Sequence, residues 1–146
     1  MAIRMIDGWL YWALLSALLA ALTAIFTKVG LKDVDPDYGT LIPTVVISVV
    51  IAAYVYFLDK WKNPFALSAR TLLFLTLSGL ATAASWVCYF RALKTGAAAN
   101  VAPVDKLSVV LVAVFAFVFL GERPSAQGWL GVVLVGVGVV MIGWKK

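Results

Sequence analysis

The sequence predicts an all-α membrane protein with five transmembrane helices. Three observations predict it. Of 146 residues, 64 % are hydrophobic and only 13 % are charged, a balance foreign to water-soluble domains. The apolar residues fall in five runs separated by short polar turns, each close to the ~20 residues that a helix needs to cross a hydrocarbon core of about 30 Å. Basic residues and tryptophans gather at the ends of those runs, where lipid headgroups accept them.

The first span covers about residues 9–27, with Trp9 and Trp12 at one interface and Lys28 and Lys32 as stop signals. Ser16, Ala20, Thr23 and Thr27 recur on one helical face. An acidic loop with Pro36 as a breaker leads to the second span, about 38–58, which carries Pro43 in its first turns as an N-terminal proline or a kink. A polar turn anchored by Trp61 precedes the third span, about 71–90, closed by Arg91 and Lys94. Here Ser78, Thr82, Ser85 and Tyr89 form one stripe at i, i+4, i+7 and i+11. The fourth span is about 97–120 and ends at Glu122 and Arg123, most simply a loop ion pair. The fifth, about 126–144, pairs Gly131 with Gly138 and Gly136 with Gly143, each seven apart. Such glycines let helices approach closely, within one chain or across a dimer. Lys145 and Lys146 reach the headgroups. The apolar run after Arg4 has spanning length, unlike a cleaved signal peptide.

Several classes are excluded. There is no histidine and one cysteine, Cys88, so an internal disulfide and a Cys/His metal site are ruled out, and no cofactor is expected. The net charge of +5 is spread over loops. Basic loop residues are topology signals, and no nucleic-acid partner is implied.

Asp105 and Lys106 lie side by side inside the fourth apolar run. If the helix begins near Thr95, Asp105 lies roughly 15 Å deep. A charge there costs at least ~2.5–3.5 kcal/mol, must face protein or water, and marks a functional site by default. In the alternative, Pro103 opens the helix and Asp105 sits at its positive end near the headgroups. That leaves Leu107 to Leu120, 14 residues, or about 21 Å, short for a span. A broken helix would satisfy both readings. Asp105 could accept a proton or cation. Lys106 could neutralise it or hold an anionic group, while one of the two meets Arg91, Tyr89 or a partner chain. The third-span stripe and Ser108 could offer hydroxyls to a cavity, and Trp86 and Tyr89 could stack on a solute. Helix packing is the competing role for all of these.

Loop charge gives almost no orientation bias. Arg4, Lys60, Lys62, Arg70 and Arg123 lie on one side, and Lys28, Lys32, Arg91, Lys94, Lys145 and Lys146 on the other, five against six. Balance of this kind permits dual topology and an antiparallel homodimer of ten spans. Unequal weighting of individual charges would instead fix one orientation.

The run from Trp86 through Arg91 to Gly96, the segment Ala102-Pro-Val-Asp-Lys-Leu-Ser108, and Phe119-Leu-Gly-Glu-Arg-Pro124 resemble the EamA-type domain of the drug/metabolite transporter superfamily. The similarity is to its short five-span members and covers nearly the whole chain, residues 1–146. Thr27-Lys-Val-Gly30 and Gly39-Thr-Leu-Ile42 fit the same pattern, while Pro43 stands where the family pattern has a basic residue early in the second span. The resemblance implies half of an inverted-repeat transporter in the cytoplasmic membrane. It implies a homodimeric carrier of small metabolites or drugs working by alternating access. A non-transporting membrane subunit is the alternative. A hydrolase using serine with Lys106 as base is disfavoured, because Ser108, two residues on, is roughly opposite on a helix.

Overall fold

The computed structural model describes residues 8–144, with the backbone alone at residue 65. Arg4, counted above among the loop charges, and Lys145 and Lys146, assigned above to headgroup level, lie outside the described residues. The helices are α1 (Gly8–Gly30), α2 (Pro36–Phe57), α3 (Ala69–Thr95), α4 (Ala98–Asp105), α5 (Leu107–Phe115) and α6 (Ala126–Gly143). A short 3₁₀ turn, Pro64–Ala66, precedes α3, and a π-helical turn, Ala116–Leu120, continues α5. There are no strands among the described residues. Five helical segments are long and apolar enough to cross a membrane, the fourth being Ala98–Leu120, interrupted at Lys106.

Most span ends shift by one to five residues from the sequence reading, and three of the shifts have a reason visible at the helix terminus. α2 starts at Pro36, because Asp35 caps it, its Oδ1 accepting the amides of Asp37 and Tyr38 at 2.9 and 3.1 Å. Pro36 therefore opens the helix, its missing N–H being one the first turn leaves unbonded anyway. Pro43 is an interior proline two turns on, not the N-terminal one. α1 runs three residues past 27 and α3 five past 90. Both continue through lysines whose long stems let the charge reach polar surroundings while the backbone stays helical. Ser68 and Ser125 cap α3 and α6, their Oγ accepting the amides of Thr71 and Gly128 at 3.1 Å.

The chain forms two compact units, residues 25–95 and residues 1–24 with 96–146; the cut falls inside α1. In the first, α2 packs on α3, with Leu93 fully buried and Leu31 and Phe90 nearly so. Gly39, also buried, faces Leu31 so closely that a Cβ there would collide with the leucine Cδ2. In the second, α6 packs on α4 and α5 around buried Val139. Phe117 and Trp129 meet edge to face at 5.9 Å. Large apolar side chains stand exposed along all five spans, the surface that hydrocarbon solvates and water would not. Their few hydroxyls turn inward on their own helices: Thr23 donates to the Leu19 carbonyl, Thr44 to Thr40, and Ser48 to Thr44.

Substituting Gly39→Ala should lower stability by ~1–3 kcal/mol through overpacking against Leu31. Gly30→Ala, where the added methyl meets nothing, should not. Equal melting temperatures in detergent for the two variants would discount the Leu31 contact.

Candidate functional site

The fourth span carries the irregular backbone. Pro103, inside α4, has no N–H to give the helical ladder. Three residues later the ladder tightens: the Lys106 amide donates to the Pro103 carbonyl and the Val109 amide to the Lys106 carbonyl, both at 3.0 Å. Lys106 sits at φ −72°, ψ 0°, between the α and turn conformations. α4 therefore ends at Asp105, and Pro103 lies in its last turn rather than opening a helix. The break falls about 10 Å along the span at ~1.5 Å per residue.

At the break Lys106 Nζ donates to Asp105 Oδ2 at 3.2 Å, with the side chains 55 % and 34 % accessible. The neighbours pair with each other and form one net-neutral group. A neutral pair is far cheaper to hold away from water than either charge alone. Ser108, on α5, is exposed. The valines flanking the break are held by α6. A methyl at Gly143 would lie 3.5 Å from Val104, and one at Gly136 would lie 3.3 Å from Val110. Gly131 and Gly138 have open space at the same test. Thus one glycine pair of α6 is used within the chain and the other, about 140° round the helix, is open.

α3 carries the polar stripe. Ser78, Thr82 and Ser85 are exposed and Tyr89 is half-buried. The Thr82 hydroxyl donates to the Ser78 carbonyl at 2.9 Å, which leaves its lone pairs to accept. Trp86 stacks on Phe90 with centroids 6.4 Å apart.

The end of α3 holds groups whose partners the sequence does not reveal. Arg91 pairs with Asp37, Nε to Oδ1 and Nη2 to Oδ2, both at 2.7 Å. The sequence offers Arg91 as one of three partners for a member of the fourth-span pair; its fork is engaged by Asp37. Its fork and the carboxylate match in shape, the bidentate geometry of arginine. Lys28 Nζ of α1 donates to the Leu93 carbonyl of α3 at 2.6 Å. Lys94 Nζ of α3 donates to the carbonyls of Leu31, Lys32 and Val34, beyond α1, at 2.6, 2.9 and 3.0 Å. Carbonyls at helix C-termini lack partners and carry partial negative charge. Each lysine thus closes the end of the other helix. As sequence signals both lysines mark only span ends, and a separation of more than 50 residues gives no hint of pairing. Glu122 and Arg123 form no ion pair among the described residues. Among the same residues no group of acids or thiols is placed to hold a metal.

A model of the EamA-like transporter family matches residues 7–144. A protein of a Sinorhizobium species, named "Uncharacterized transporter in cobO 3'region", is 54 % identical over 138 residues, 94 % of this chain and 98 % of that protein. A WAT1-related protein of Arabidopsis thaliana is 30 % identical over 110 residues, 73 % of this chain and 32 % of that protein. No solved structure matches the chain.

Lys94→Met should lower stability by ~1.5–3 kcal/mol, because carbonyls that a charged donor satisfies lose it together. Thermal unfolding in detergent tests this; an unchanged melting temperature would show that water replaces the ammonium at no cost.

Proposed function

The chain belongs to the EamA-like transporter family, a multi-pass membrane transporter of the drug/metabolite superfamily, and from that premise we propose a secondary carrier of small metabolites or drugs in the cytoplasmic membrane, working by alternating access. The observation that carries the reading is the Asp105–Lys106 pair at the interruption of the fourth span. Discontinuous spanning helices are a recurrent way for carriers to place polar groups within the bilayer. With Asp105 ionised, Lys106 is held and the pair is neutral. Protonation of Asp105 releases the ammonium to an anionic group of the solute. Loss of solute and proton restores the pair. Ser108 adds a hydroxyl beside the pair within its own unit, and within the other unit the α3 residues Ser78, Thr82, Ser85, Trp86 and Tyr89 offer hydroxyl and aromatic surface to a solute.

The working unit in this proposal is an antiparallel homodimer. Five spans make half of an inverted repeat. The plant relative is matched over about a third of its length, which leaves room in it for a second such unit. Gly131 and Gly138 offer an open face of small residues for the partner, and the nearly balanced loop charge supports insertion both ways.

Reconstituted protein screened against small solutes across pH should bind one with a pH dependence that Asp105→Asn removes while insertion is retained. An unaltered pH profile in the variant would take Asp105 out of the coupling. Gly131→Leu with Gly138→Leu should convert dimer to monomer in crosslinking without lowering the monomer's melting temperature. A dimer that survives both changes places the contact elsewhere.

A further inference from the structure

We propose that the unit formed by residues 25–95 binds an anionic phospholipid where the ends of α1 and α3 meet. A hollow of about 350 Å³ there is lined by Lys28, Lys32 and Lys94 together with Val29, Leu31 and Leu93. Three ammoniums face it, and no carboxylate is among the described residues that line it. The acids of the adjoining loop are engaged elsewhere or stand apart. Asp35 caps α2, Asp37 is paired with Arg91, and Asp33 is exposed outside the lining. Lys94 spends its donors on loop carbonyls, and Lys28 holds the Leu93 carbonyl. Both ammoniums are therefore held in place at the rim. Lys32 is exposed and extends the positive field outward.

A second hollow, about 250 Å³, shares Leu31 and is lined by apolar groups including Phe26, Ile42, Pro43 and Phe90. These residues lie deeper along their helices than the lysines do. Phe26 precedes Lys28, Phe90 precedes Lys94, and Ile42 lies inside α2. A cationic hollow at the end of two spans with an apolar groove beneath it matches an amphiphile with a phosphate headgroup and acyl chains. Basic pockets at the ends of membrane helices take such headgroups. The inference holds whether or not the chain carries a solute.

The test is native mass spectrometry of the full chain in mild detergent with equimolar phosphatidylglycerol and phosphatidylcholine. Phosphatidylglycerol should be retained selectively. Lys32→Gln should cut that selectivity about fivefold, the factor for one basic residue near a headgroup. Lys60→Gln, at the other end of α2, should leave it intact. Equal retention of the two lipids by the wild type, or an unaltered ratio in Lys32→Gln, overturns the proposal. Displacement of the lipid by inorganic phosphate alone would assign the hollow to a soluble anion and overturn it equally.

Discussion

Hydrocarbon offers no hydrogen bonds, and most of this structure follows from that. Each backbone N–H and C=O within the bilayer must find a partner in the protein, so the chain crosses it as helices. The hydroxyls obey the same constraint: Thr23, Thr44, Ser48 and Thr82 each donate to the carbonyl four residues back. Departures from the regular ladder are then informative, because each is a local loss that packing or polar contact has to offset. Apart from the N–H that Pro43 removes inside α2, they gather in one span. α4 and α5 meet at Lys106, and the π turn Ala116–Leu120 ends at Gly121, whose φ of +70° favours glycine. The other four spans are continuous.

The same constraint explains where the charges are. A helix that ends near the headgroups leaves carbonyls without partners. Lys28 and Lys94 meet that need crosswise, each on the carbonyls near the other helix's end. The basic residues that mark topology therefore also fasten α1, the following loop and α3 together. Arg91 and Asp37 add a shape-matched pair at the same level. Because both side chains of that pair are at least half exposed, it fixes geometry more than it stabilises the fold. The fourth-span pair differs in kind: its two charges are adjacent in sequence and hold no other element in place.

Composition and apolar run lengths made the five spans legible, because lipid imposes its requirement on side chains directly. The ends were less legible. Hydropathy falls where charges begin, at Arg91, but a helix stops where its terminal carbonyls can be taken over, and α3 runs on to Thr95. Asp105 and Lys106 were visible as charges in an apolar run, and a broken helix was foreseeable from Pro103. Which turn breaks was not, because proline suits both a first turn and a disrupted interior. Arg91 with Asp37 could not be read at all: the pair depends on α2 packing beside α3, which no local pattern encodes. Nor could spacing say which glycine pair of α6 is used within the chain, since Gly131/Gly138 and Gly136/Gly143 are seven apart alike.

That last division bears on how the irregular span is held. Gly136 and Gly143 admit Val110 and Val104, and those valines straddle Asp105 and Lys106. α6 therefore runs alongside the interruption as a splint, touching the chain before and after it, so the two half-helices keep their alignment despite the lost ladder. Apolar burial does not drive helices together in lipid; close van der Waals contact does, and glycine is the residue that lets an adjacent valine come near. A change at the break that shifts α4 against α5 must slide one valine along the glycine face of α6 while the other stays. An interruption splinted in this way keeps α4 and α5 in register against one face of α6.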